Sequence, residues 1–552
     1  MQGQKSGLSM NGTKPSTNDS SSSSYDVVIL GAGFSGIAML YRLRKLGLSV
    51  RIFESGDDFG GVWHWNRYPG ARVDSEWPYY QLNIPEVYQD WNWSEKFPGF
   101  EELQRYFAHV DKVLDLRKDV TFQAHVNDVQ WDGSKWTVRT QAGHTAKCKY
   151  VVLCTGLLHR AYTPGFPGMD SYKGAVYHTA DWPRQADFSG KKVAVIGAGA
   201  TAVQVVQELA KQAQYLTVFM RRPSICLPMK QRRLGDLEQS GWKTYFDALF
   251  VEGRKSATGF PGRQAPCGAI DVTAEERERS LDVLWRRGSF NFNMFNYNDI
   301  MVNKESNRLI YDFWVKKTAP RLKNIRKREL MVPVDPPYYF GTKRSPLEQD
   351  YYEMLDRDNV DVISLAETSI KTFNETGIVL DRQMDFDVVV LATGFDSFSG
   401  SLFKMGLRSR DGQDIRHVWQ DGIKTYLGMT FHGFPNTFMV YSPHAPTALS
   451  NGTTMIEAQS DWVASAIDKL ENEGVLSCEP TKDAEDEWGS MIADLNKPTL
   501  YPFTNSWWNK ANLPGQKAQM LTHPGGIEMY EKQCREKLAG WKGFDLVYEK
   551  PS

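Results

Sequence analysis

Apolar and polar positions along the chain repeat one pattern twice. Tyr25-Asp26-Val27-Val28-Ile29-Leu30 is a short apolar run rich in β-branched residues. It leads into Gly31-Ala32-Gly33-Phe34-Ser35-Gly36 and then into IAMLYRLRKLG, whose apolar positions recur at helical spacing. A second apolar run, residues 48–53, ends in Glu54. The same order returns at residues 192–196 (KVAVI), then Gly197-Ala198-Gly199-Ala200-Thr201-Ala202, the helical stretch VQVVQELAK and the run LTVF at residues 216–219. Each set predicts a complete βαβ unit.

The chemistry of such a unit follows from its geometry. Glycines let the backbone approach a pyrophosphate held at a helix N-terminus, and an acid at the end of the second strand accepts from a ribose hydroxyl. Gly31, Gly33, Phe34, Ser35, Gly36 and Glu54 fit that description, and the first unit reads as an FAD site. The second unit has Gly197, Gly199, Ala200, Thr201 and Ala202 but no acid; its second strand runs into Met220-Arg221-Arg222-Pro223. Arginine there suits a 2′-phosphate, so this unit reads as an NADPH site. The alternative is a pair of exposed arginines at a strand end.

Two more apolar strands, residues 150–153 and 386–392, each stop at a Thr-Gly turn, Thr155-Gly156 and Thr393-Gly394. These paired exits predict a chain that leaves its first domain and later returns to it. Residues 227–335 are rich in charge and aromatics and contain AEERERSLDVLWRRG, a helical pattern. The expected fold class is α/β, with two Rossmann-like dinucleotide-binding domains (FAD and NADP) and a helical insertion. The expected order is a disordered Ser-rich tail at 1–24, FAD domain at 25–158, NADP domain at 159–226, helical insertion at 227–335, NADP domain again at 336–385, and FAD domain again at 386–552.

Composition narrows the field. The 552 residues carry 65 Lys+Arg against 66 Asp+Glu, and this net charge of −1 gives no general attraction to nucleic acid or anionic lipid. No run of about 18 apolar residues occurs, so no transmembrane helix is expected. The six cysteines show no C-x-x-C spacing, which argues against a dithiol redox site or zinc cluster and suits a reducing, cytoplasmic setting. No metal is expected.

Gly60-Gly61-Val62-Trp63-His64-Trp65-Asn66-Arg67-Tyr68-Pro69-Gly70-Ala71-Arg72-Val73-Asp74 resembles the GGxWxxxxYPGxxxD signature of type I Baeyer–Villiger monooxygenases at every defined position. Residues 172–183, with His178 and Trp182, are similar to the fingerprint FxGxxxHxxxWP, with Tyr172 in place of the leading Phe. The resemblance continues through Lys343-Arg344, residues 391–396 and Asn505-Ser506-Trp507-Trp508, and leaves only the tail uncovered. It points to the cyclic-ketone branch, particularly its fungal members that act on polycyclic ketones.

The resemblance implies that NADPH reduces FAD, that the reduced flavin captures O₂ as a C4a-peroxide, and that this attacks a ketone to give an ester or lactone. It makes Arg344 the cation that stabilises the oxyanion and Asp74 its partner. Lys343 and Arg221, with Arg222, hold the 2′-phosphate, and Val62, Trp63, His64, Trp65, Asp74, Tyr80, Val126 and Trp507 join the cofactor-binding residues. His178 and Trp182 belong to the fingerprint, with His178 as an interdomain hinge. Sequence spacing alone does not bring Asp74 to Arg344, and an ordinary ion pair is the competing reading. Trp507 reads equally as a core residue. Residues 442–449, a Pro-bounded loop of small residues, read either as pocket lining or as a surface turn. The expected partners are a small ketone and O₂, with no nucleic acid and no membrane, and the expected state is a monomer or weak oligomer. The rival function is a flavin N- or S-hydroxylating monooxygenase. A disulfide reductase lacks its cysteine pair, and a non-catalytic nucleotide-binding protein would purify without colour.

Overall fold

The computed structural model describes residues 23–512 and 515–548. The first strand, Ser23–Leu30, takes in the last two residues of the expected tail, and the rest of that tail lies outside the described residues. Two mainly parallel sheets organise the molecule. In the first, the order is Val120–Thr121, Val50–Phe53, Ser23–Leu30, Thr145–Leu153, Trp136–Thr140, Val126–Trp131. Strand Thr145–Leu153 changes partner along its length. Residues 145–148 pair antiparallel with Trp136–Thr140, and residues 151–153 pair parallel with Thr437–Met439. The second sheet is wholly parallel, in the order Val360–Ser364, Tyr215–Met220, Lys192–Ile196, Val388–Leu391, Ala175–His178.

Both sheets are covered on both faces, which is why their strands read as continuous apolar runs. Val27 and Ile29 point into one core and Val28 and Leu30 into another. Val193 and Val195 enter the same core as Val27, whereas Ala194 and Ile196 enter a third. One apolar layer therefore runs from the first sheet to the second and through the segment between them. That segment, residues 227–335, is mainly helical, and its helix Ala274–Arg287 starts at a capping box between Thr273 and Glu276.

One expectation is corrected. Strand Val388–Leu391, assigned from sequence to the returning part of the first domain, lies inside the second sheet between Lys192–Ile196 and Ala175–His178. The return to the first sheet comes later, at Thr437–Met439. The two Thr-Gly exits are thus equivalent turns, one in each sheet. The first glycine of each unit packs against the neighbouring exit: a Cβ on Gly31 would meet the Cys154 carbonyl oxygen at 2.5 Å, and one on Gly197 would meet that of Ala392 at 2.3 Å. Among the described residues no helix is long and apolar enough to cross a membrane.

Candidate active site between two nucleotide-binding units

Each glycine turn ends in a helix with free N–H groups. In Phe34–Lys45 the first intrahelical bond is donated by the Ile37 N–H to Gly33, and in Ala200–Gln212 by the Val203 N–H to Gly199; neither helix has a side-chain cap or an acid in its first turn. Phe34, Ser35 and Gly36, and Ala200, Thr201 and Ala202, therefore present backbone donors and positive dipole ends of the kind that bind phosphate. Gly36 has no room for a side chain, because its Cβ would stand 1.9 Å from the Gly31 oxygen; around Gly199 a Cβ would meet nothing within 4 Å. Glu54 is buried, its two carboxylate oxygens accepting from the Ala32 and Gly56 N–H groups at 2.7 Å each. Its remaining lone pairs are suited to ribose hydroxyls. The donors and acid at the first turn, and the donors and open space at the second, each fit a dinucleotide.

The segment 60–74 ties the two units together. Gly33 and Gly61 press backbone to backbone, each one's Cβ position lying 3.3 Å or less from the other's Cα. Tyr68 donates its hydroxyl to Gln204 at 2.8 Å, and Gln204 donates to the Arg72 carbonyl at 3.0 Å. Gly70, at φ +81°, abuts the Gln204 carbonyl. Tyr68, Gly70 and Arg72 thus dock the segment onto helix Ala200–Gln212. Trp63 donates to the Tyr80 hydroxyl at 2.9 Å, and Tyr80 packs edge-on against Phe34. His64 lies 3.1 Å from Asp57, its pKa lowered by burial and by Arg67. Trp65 packs against His159, Val62 borders the first core, and Val126 sits at the start of an edge strand in the second core.

At the end of this segment Asp74 meets Arg344 in a two-pronged ion pair, Nε to Oδ2 at 2.5 Å and Nη2 to Oδ1 at 2.9 Å. Burial works against the Arg344 charge, but Asp74 outweighs it and holds the guanidinium pKa above its usual value. Nη1 of Arg344 reaches the Ala448 and Ser450 carbonyls at 3.4 and 3.3 Å, and the Phe290 ring lies 4.7 Å from the guanidinium carbon. The loop 442–449 is therefore no surface turn: its residues are buried, apart from a partly covered Leu449, and it touches Arg344 directly. Phe290 and Tyr441 were not singled out from sequence. Tyr441 directly precedes the loop 442–449, but an aromatic after a strand, like one in a helical insertion, carries no distinguishing pattern.

Lys343, next to Arg344, lies over the Tyr338 ring at 4.5 Å. Burial and the nearby Arg222 and Arg221 charges push its pKa down to about 8. Lys343, Arg221 and Arg222 thus bring three cations near one another at the end of strand Tyr215–Met220. His178 accepts from the Ala180 N–H through Nδ1 at 3.0 Å, so its proton sits on Nε2, which lies 3.3 Å from the Tyr162 carbonyl and from the Thr393 hydroxyl. Burial lowers its pKa and keeps it neutral. Trp182 is a core residue between Tyr177 and Phe188. Trp507, part covered, packs against Phe398 and Trp508 at the edge of the second core.

A family model described as flavin-binding monooxygenase-like matches residues 24–232. The FAD-binding monooxygenase acrE of Aspergillus aculeatus is 42% identical over 527 residues, which cover 95% of this chain and 89% of that protein. The cyclopentanone 1,2-monooxygenase of a Comamonas species is 37% identical over 535 residues, covering 96% and 97%. The solved structure of an oxidised steroid monooxygenase bound to NADP superposes with a TM-score of 0.90 at 36% identity, covering 96% of this chain and all of that one. Two dinucleotide cradles joined by the segment 60–74, an arginine–aspartate pair between them and this likeness along nearly the whole length give one conclusion: the chain belongs to the Baeyer–Villiger type of FAD-binding, NADP-dependent monooxygenases.

Proposed function

We propose that this enzyme oxidises cyclic ketones, including bulky and fused-ring ones, to esters or lactones. Ketone, O₂, NADPH and a proton become ester, NADP⁺ and water. The observation that carries the reading is the bidentate Asp74–Arg344 pair, set between the two cradles and against the carbonyls of Ala448 and Ser450. Bound FAD supplies the oxygen-transfer chemistry, with electrons from NADPH. Around it, Arg344 keeps a permanent positive charge and directs an N–H toward the oxygen that becomes negative as the carbonyl is attacked. Asp74 fixes the plane of that guanidinium. Lys343, Arg221 and Arg222 hold the 2′-phosphate and so favour NADPH over NADH. His178, as a neutral Nε2–H donor, ties strand Ala175–His178 to the crossover segment at Tyr162 and to the Thr393 exit of its own sheet, a hinge position where the chain enters the second unit.

Support for a cyclic substrate comes from the cyclopentanone-oxidising relative, and for a bulky one from the steroid monooxygenase. The six cysteines, free of disulfides and five of them buried, suit a cytoplasmic enzyme. A monomer or weak oligomer is the matching assembly. The test measures NADPH consumption and products over cyclohexanone-sized, linear, aromatic and fused-ring ketones. Fused-ring ketones should give esters at specificity constants comparable to those of the small rings. Good conversion of cyclohexanone with refusal of every fused ring would remove the bulky-substrate part. Oxygenation of amines or thioethers with no ester from any ketone would replace the whole reading with heteroatom hydroxylation.

A further inference from the structure

Tyr441 follows strand Thr437–Met439 and holds φ +62°, a left-handed conformation that is costly for an aromatic residue. A buried and fully used hydrogen-bond network keeps it there. Gln459 accepts the Tyr441 N–H at 2.7 Å and donates to the Ser442 hydroxyl at 2.8 Å and the Tyr530 hydroxyl at 2.9 Å; Tyr530 donates to the Leu427 carbonyl at 2.6 Å. Gln459, Ser442 and Tyr530 are at most 1% exposed. Strain that surrounding groups hold in place so completely is a pointer to function. Its result is the direction of the phenol. The ring bridges the two cores of the first sheet, and its hydroxyl reaches the N-terminus of helix Gly452–Asn472, 3.1 Å from where a Cβ on Gly452 would stand. Among the described residues that hydroxyl makes no hydrogen bond, although Ser450, two residues before Gly452, supplies a carbonyl to Arg344.

The donor inventory of Arg344 shows what the hydroxyl could add. A guanidinium has five N–H groups. Nε and one Nη2 proton go to Asp74, and both Nη1 protons face the Ala448 and Ser450 carbonyls. One Nη2 proton remains, whereas an oxygen gaining full negative charge is best stabilised by two or more donors. The Tyr80 hydroxyl, which accepts from Trp63, stands against Phe34 at the first glycine turn.

We infer that the Tyr441 hydroxyl is the second donor to the substrate carbonyl, completing with Arg344 a two-donor site that Gly452 leaves room for. Burial raises the Tyr441 pKa, so the phenol keeps its proton across the working range. The inference rests on the ketone-oxidation reading above and adds a residue to it.

The test uses the flavin-loaded enzyme and the variant Tyr441→Phe, which keeps the ring and removes the donor. Cyclohexanone binding to the oxidised enzyme without NADPH, read by saturation-transfer NMR, should weaken about 3- to 10-fold, the value of one hydrogen bond. In turnover, kcat for ester formation should fall about 10²-fold, with less ester and more hydrogen peroxide per NADPH consumed. Gly452→Val, which crowds the hydroxyl without removing it, should move both readouts the same way. The flavin absorption spectrum of Tyr441→Phe should match wild type, whereas a merely structural role would shift it. Wild-type cyclohexanone affinity together with wild-type ester yield per NADPH in Tyr441→Phe would overturn the inference. If the wild type forms no ester from any ketone, the underlying reading fails instead, and the binding measurement, which needs no turnover, still decides whether the hydroxyl contacts a carbonyl.

Discussion

Lys343 and Arg344 are neighbours whose environments drive them in opposite directions. Arg344 has a carboxylate partner, whereas Lys343 has burial and two like charges, which bring its pKa down to about 8. If Lys343 grips the 2′-phosphate it must be charged, and its charge is present below pH 8 and lost as pH rises through it. The KM for NADPH should therefore climb above about pH 8 while that for NADH stays flat; a parallel climb for both would place the phosphate elsewhere. Replacing Arg221 with Ala should raise the NADPH KM more than the NADH KM for the same reason. Arg344→Ala should keep flavin and lose ester formation by at least about 10²–10³-fold, the usual cost of one preorganised donor, measured as product per enzyme per second. Glu54 was legible in sequence because it sits within one βαβ unit at fixed spacing. The Asp74–Arg344 contact came only from the family resemblance and not from spacing, since the packing of distant segments brings those side chains together. Phe290 and Tyr441 were invisible for the same reason.

The segment 60–74 shows how one element serves two neighbours. Its glycine pair lies on the first glycine turn, and Tyr68, Gly70 and Arg72 dock on the second glycine helix. Gly70→Ala should disturb the second contact alone: a Cβ would stand 2.8 Å from the Gln204 carbonyl, and φ +81° strains any L residue by about 1–2 kcal/mol. At about 1.4 kcal/mol per tenfold change, NADPH affinity should fall roughly 5- to 30-fold in a titration while flavin content is retained. Loss of flavin without change in NADPH affinity would contradict that division. Both βαβ units could be read from periodicity, because strand, turn and helix are local. The sheet to which Val388–Leu391 belongs could not, because a strand buried on both faces is apolar throughout and carries no mark of its neighbours.

At the scale of the whole molecule, the helical insertion is fastened to the first unit by a chain of alternating charges. Arg42 on the first glycine helix pairs with Glu457 and Asp461 on helix Gly452–Asn472; Asp461 pairs with Arg254 at the end of helix Phe246–Arg254; and Arg254 pairs with Glu531 on helix Gly526–Ala539. Helix Gly452–Asn472 starts beside Arg344, so this chain sets the angle at which the active-site end is presented. Arg254 joins two acids, and its side chain is 32% exposed, against 16% for Glu531. Removing it strands the Glu531 carboxylate near Asp461, which keeps Arg42. Exposed pairs contribute about 0.2–1 kcal/mol and breaking a buried pair costs about 3–5, so a partly covered junction should cost about 1–3 kcal/mol. With about 2–4 °C per kcal/mol for a cooperative unit of 150–250 residues, Arg254→Met should unfold several degrees lower at a fixed scan rate. Added salt should narrow the gap between variant and wild type, because screening weakens both the lost attraction and the new repulsion. Arg254→Met combined with Glu531→Met should regain part of the loss, since the stranded carboxylate is then gone. Equal melting temperatures for Arg254→Met and wild type at low salt would show that apolar packing alone holds the insertion in place.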